Sequence, residues 1–366
     1  MSNFFTHPMR PFFTASALLG IVAASGFFFS AQAVVLHRQI FLGFVLPAAY
    51  GGFLTAAMLE WTGYRGRLKP VAYLLGALLS AGFVLLFVSP AAAAYCTAAY
   101  WLALWLFCAY LLWLDRNTDN FALLLLLGAF AAFQTAYART GGLHLLKAQV
   151  HIHMAAVAFV SFRVSILLGN EALKDCRLKD PIFIPNAVYK NIAVIFLLLC
   201  AAAELWLPVQ TAGFAALGAG CILLAKLREL HHRELLRKHY VRTYYWLQLF
   251  GAAGYLWLGV AKLNNQSAAT PLHLITLAAL LGGILMVWLT AGLWHSGFTK
   301  LDYPRLCRFA LPCFFTAALV RTAGLWLSPA LFSTAVPAVL VAAGFALYLA
   351  AFVPIFRENA FTDDPE

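Results

Sequence analysis

Apolar runs of about twenty residues, broken by short polar intervals, recur along the whole chain. A helix needs a run of this length to cross a bilayer, and a helix satisfies its own backbone hydrogen bonds in lipid. The pattern predicts an all-α, polytopic membrane bundle of about 12 spans, at 12–35, 39–61, 70–89, 91–114, 121–138, 147–169, 188–207, 210–227, 244–263, 272–295, 308–327 and 331–356. The first run ends in Ala31-Gln32-Ala33 and imitates a secretory leader. At about 20 residues it exceeds the 7–15 of a leader's apolar core, so it reads as an uncleaved first helix. Residues 1–366 are expected to form a single integral membrane domain, whose longest polar stretch is the basic loop 228–243, RELHHRELLRKHYVRT.

Composition agrees with this pattern. Hydrophobic residues make up 63% and charged residues 11% of the chain, and a soluble domain carries roughly twice that charge. The net charge of +11 raises the question of nucleic acid, and the distribution of the charge answers it. Nineteen of the 25 Lys and Arg fall on the side of the N-terminus. Four (Arg38, Arg139, Lys147, Lys262) fall on the other side, and Arg163 and Arg321 lie within spans. The positive-inside rule then puts both termini in the cytoplasm, with the basic loop facing lipid phosphates rather than nucleic acid. The seven cysteines form no C-x-x-C and mostly sit in apolar runs, where Cys acts as a small hydrophobe.

The candidate chemistry is in the histidines. On this topology His37, His144, His151, His153 and His273 share the outer depth zone with Arg321, as a buried cofactor near the outer leaflet requires. His151 and His153 are two apart, about 200° around a helix, so one straight helix cannot clamp a metal between them. A haem with two axial histidines, or a copper ion with several, must draw its ligands from different helices. Neutral imidazole suits both metals. Haem propionates would explain Arg163 and Arg321, since an intramembrane arginine is costly without a partner. The alternatives are a hydrogen bond to a neighbouring helix for each histidine, and a backbone carbonyl, Glu60 or Glu204 for each arginine.

Four stretches in matching order, HPMRPFF (7–13), LGF…GGFLTAAMLEWTG (42–63), FRVSILLGN (162–170) and PLHLITLAALLGGILMVWLTAGLWHSG (271–297), resemble the NnrS family. The resemblance implies a twelve-span protein of the bacterial inner membrane that contains haem and copper and takes part in the response to nitric oxide. His273 matches the histidine that opens the family's late span, His295 with Gly297 matches its GHTGR turn, and Arg163 and Arg321 match its sixth- and eleventh-span arginines. The family's second span opens WHxHEMxFGF, whereas VLHRQIFLGF puts Arg38 and Gln39 where His and Glu are expected and moves His37 by one position.

Depth and resemblance together give His37, His151, His153, His273, Arg163 and Arg321 as the candidate haem site. They give His144, His151, His153, His273 and His295 as the candidates for copper or another metal ion. The expected partners are nitric oxide or nitrosated metal species, the lipid bilayer, and respiratory or denitrification proteins. Two other readings stay open at this point: a twelve-span secondary transporter using the histidines as a proton relay, and an assembly partner of a respiratory complex.

Overall fold

The computed structural model describes residues 3–28, 33–116, 118, 120–174, 182–324 and 331–362. Ala31 and Gln32 of the leader-like motif, Cys176, the basic residues Arg177 and Lys179, and positions 325–327 of the eleventh expected span lie outside them. All regular structure among the described residues is helical. Twelve rods follow one another: α1 (Met9–Ser25), α2 (Val34–Thr62), α3 (Lys69–Leu86), α4 (Pro90–Asp115), α5 (Phe121–Thr140), α6 (Leu143–Leu173), α7 (Ala187–Trp206), α8 (Val209–Glu229), α9 (His239–Leu263), α10 (Ala269–Trp294), α11 (Cys307–Ala323) and α12 (Leu331–Glu358). The basic stretch 228–243 is a short connector holding one helical turn, Arg233–Leu236, before α9 begins.

Nine of these rods are long and apolar enough to cross a membrane, against the twelve spans expected. The shortfall has local causes. α1 and α11 are 17 residues long. α9 has 25, but its Tyr, Trp and polar residues dilute its apolar character.

Local chemistry sets the helix ends. The Ser89 hydroxyl accepts from Ala92 N–H, and Asn186 caps α7 by accepting from Val188 N–H at 2.8 Å, each satisfying a donor that the first turn leaves open. Gly63 and Gly141 end α2 and α5 with φ of 60° and 65°, the left-handed region that glycine enters without strain.

Successive rods pack side by side, and α1 lies against both α2 and α12. α2, α6 and α10 form the enclosed centre, with the apolar stretch of α2 94% buried and that of the peripheral α3 only 22%. Buried side chains from Met9 to Phe356 make one continuous apolar cluster.

Contacts define two ends. At the near end the buried Arg10 guanidinium donates to the carbonyls of Asn3, Phe356, Asn359, His295 and Ala360 and to the Ser296 hydroxyl, at 2.8–3.3 Å. At the far end Gln39 donates to Tyr137 Oη, joining the start of α2 to the end of α5, and the 264–268 turn joins α9 to α10.

The described residues include three π-helical stretches: Phe41–Val45 within α2, Leu274–Leu281 within α10 and Leu331–Ala335 at the start of α12. A π turn holds an extra residue, costs helix geometry, and is found most often at functional sites. All three lie toward the far end, beside the residues described next.

Candidate functional site

His37, His273 and Arg321 line one cavity of about 40 Å³ at the far end, together with Phe41, Leu277, Ser333 and Thr334. Three helices therefore bring together three of the residues that the sequence singles out, and α12 closes the cavity with its two hydroxyls. His37 lies four residues before the π stretch of α2, His273 immediately precedes that of α10, and Ser333 and Thr334 lie inside that of α12.

Both imidazoles are oriented by backbone carbonyls. His273 Nδ1 lies 2.7 Å from Ala269 O, and His37 Nδ1 lies 3.4 Å from Ala23 O on α1. A carbonyl only accepts, so these contacts favour the proton on each Nδ1, the tautomer in which Nε2 is the nitrogen that a metal would use. The His37 ring also sits edge-on to Phe41, with centroids 4.8 Å apart. Arg321 extends from the last turn of α11, and among the described residues no carboxylate lines the cavity.

The other far-end histidines go elsewhere. His151 is fully buried, with Nδ1 2.8 Å from Tyr255 Oη and Nε2 3.7 Å from Glu204 Oε1. Lys262 Nζ meets the same Glu204 oxygen at 2.5 Å. α6, α7 and α9 thus enclose a Lys–Glu pair flanked by an imidazole and a phenol.

His153 faces the other way, as its two-residue offset requires. It stacks on Phe130 at 4.2 Å, with Trp101 and Tyr50 completing an aromatic box. Its Nδ1 is 3.4 Å from Tyr50 Oη, and its buried Nε2 has no hydrogen-bond partner among the described residues. His144 is exposed on the first turn of α6.

Two expected site residues belong to the near end. Arg163 donates to Asn120 Oδ1 at 2.7 Å and lies 3.9 Å over the Trp61 ring. His295 is buried, donates from Nδ1 to Thr362 O at 3.0 Å, and stacks on Phe361. His7 stacks on Phe361 as well, with centroids 3.7 Å apart. Burial, then His295 and Arg10, push the His7 imidazole down to about 3, so it is neutral.

Sequence reasoning missed Tyr255 as a partner of His151, and it offered Glu204 to the intramembrane arginines rather than to Lys262 and His151. It counted Arg10 as a loop charge, although the guanidinium is fully buried. The presence of Arg10 inside the HPMRPFF motif was the available signal. Among the described residues no three His, Cys, Asp or Glu side chains gather as a metal-binding group.

No curated protein and no solved structure matches the chain. One protein family does, the one described as NnrS protein, over residues 3–359.

Proposed function

The chain belongs to the NnrS family, and from that premise we propose a membrane protein that holds one copper ion between His37 and His273 and serves the bacterial response to nitric oxide or nitrosated metal species. All twelve rods span the inner membrane, with the near end and both termini in the cytoplasm. Nine sufficiently apolar helices and the gathering of Lys and Arg on the near-end side support this placement.

One observation carries the reading: two imidazoles from different helices, each with its Nδ1 proton directed to a carbonyl, line one cavity. Fixing the distal nitrogen is how proteins orient a ligating histidine. Two nitrogen donors suit copper(I), which accepts two-coordinate geometry, better than zinc, which takes four ligands in structural sites.

The porphyrin implied by the family resemblance does not fit this cavity. About 40 Å³ corresponds to roughly three waters, whereas pockets for organic ligands run to about 300 Å³ and more. Nitric oxide, with two atoms, has room there. When bound, copper would supply a centre to which nitric oxide binds directly. The chain's own residues hold the imidazoles in register and surround the centre with Phe41 and Leu277.

The transporter reading has one specific observation in its favour, the buried His151–Glu204–Lys262 group, whose acid, base and imidazole are the parts of a proton relay.

Elemental analysis and X-ray absorption on protein purified from copper-supplied cells test the copper site. One copper per chain with nitrogen scatterers is expected, lost in His37→Ala and in His273→Ala and retained in His153→Ala. Copper-free wild-type protein, or copper indifferent to both substitutions, would overturn the reading.

A further inference from the structure

We propose that Arg321 makes the His37–His273 cavity a binding site for a small, flat oxyanion of three or four atoms. The proposal deepens the copper reading by naming what is taken up beside the two imidazoles, yet it stands on different groups and can fail separately.

The argument begins with charge. Among the described residues Glu204 is the single carboxylate in the far half of the bundle. Glu60, Asp115, Glu171, Glu229, Glu234, Asp302 and Glu358 all lie at or beyond near-end helix termini. The segments 29–32 (FSAQ) and 325–330 (LWLSPA), which adjoin the cavity in the chain, contain no Asp or Glu. Glu204 is itself held by Lys262 at 2.5 Å and flanked by His151.

Arg321 is thus a half-enclosed guanidinium with no acid to meet, and among the described residues it has no hydrogen-bond or ion-pair partner. A cation taken partly out of water needs a counter-charge. Among the described residues none is supplied, and an anion from outside would provide it.

The shape of the cavity then selects the ligand. A guanidinium presents a planar fork of N–H donors that matches two oxygens of a flat anion. The Ser333 and Thr334 hydroxyls line the same space, and a hydroxyl can donate to an oxyanion. A volume of about 40 Å³ admits an anion the size of nitrite, nitrate or formate. A phosphodiester with its glycerol arms is too large to enter it.

The backbone also singles out this place. The three π-helical stretches of the described chain contribute Phe41, Leu277, Ser333 and Thr334 to the cavity.

Nitrite serves as the probe, titrated calorimetrically into metal-free and copper-loaded full-length protein in detergent. Saturable binding to wild type is expected. Arg321→Gln should weaken it by about tenfold or more, the usual cost of losing a hydrogen bond to a charged group. Arg321→Lys, which keeps the charge but loses the fork, should fall between the two. Unchanged copper content and melting midpoint in Arg321→Gln show that the variant is folded.

Equal nitrite affinity in wild type and Arg321→Gln overturns the proposal, as does absence of binding to both forms of wild type. The titration is repeated in nanodiscs of neutral lipid and of phosphatidylglycerol. Loss of nitrite binding in the anionic lipid alone makes Arg321 a headgroup contact and also overturns it. Protein that takes up no copper when supplied with it yet binds nitrite overturns the copper reading and keeps this one, and copper-loaded protein blind to nitrite does the reverse.

Discussion

Lys262 Nζ lies 2.5 Å from Glu204 Oε1, and this contact neutralises the one carboxylate that the described residues place in the far half of the bundle. Both side chains are about nine-tenths buried. Removing one partner of such a pair strands the other charge. Glu204→Gln is therefore expected to lower stability by about 3–5 kcal/mol, while the double change Glu204→Leu with Lys262→Met stays near wild type. Denaturation midpoints in detergent measure both. A double variant as unstable as the single would show that the pair has a role beyond mutual neutralisation.

Where α8 meets α9, two glycines let the backbones touch. A Cβ on Gly259 would sit 2.8 Å from the Gly213 carbonyl oxygen, and a backbone atom cannot rotate away. Small residues at helix contacts permit this approach in membrane bundles. Gly259→Ala should cost about 1–3 kcal/mol by overpacking. Gly76→Ala on α3, where a Cβ meets nothing within 4 Å, should be neutral or gain up to about 1 kcal/mol from helix propensity. Paired thermal melts of the two variants decide the point.

The near-end Arg163 is a structural cation, stacked on Trp61 and bonded to Asn120. Arg163→Lys keeps the charge but forfeits the flat stack, at about 1–2 kcal/mol. Metal content should not change, because the His37–His273 cavity is at the opposite end. A variant that loses copper while keeping its melting midpoint would contradict that separation.

Acid should loosen the joint between the chain termini. His7 accepts from Met9 N–H through Nδ1 and is held neutral down to about 3, against 6.5 for the unfolded chain. Between these values the unfolded state binds the extra proton, so stability rises with pH across the window. It is fully present above about 6.5 and declines as pH falls toward 3, by at most ~1.4 kcal/mol per pH unit for this group. His7→Phe keeps the stack on Phe361 and removes the titration. Midpoint-versus-pH curves should therefore be steeper for wild type than for the variant.

The helices were legible because length and apolarity suffice to define a membrane rod, and the family could be recognised from four motifs in order. That His37 and His273 lie at the same end of the bundle was legible as well, since both sit a few residues into rods that start there. Which way each histidine points was not. A π turn admits an additional residue and rotates everything beyond it, and both α2 and α10 carry such turns next to their histidines. No hydrophobic periodicity reveals that rotation. His151 and His153 show the opposite case: on regular α-helix, their divergence followed from spacing alone. Arg10 and Lys262 escaped notice because a single cation near a helix end reads the same in sequence whether it meets water or six buried acceptors.

The guanidinium of Arg10 has a consequence for biosynthesis. Of its six acceptors, Asn3 is a neighbour, while the others lie 285–350 positions further along the chain. The first rod therefore reaches the membrane long before most of its anchorage exists. The nascent protein must keep this end solvated until residues 356–360 emerge, and a chain stopped short of residue 356 would leave its opening segment with half of its acceptors missing.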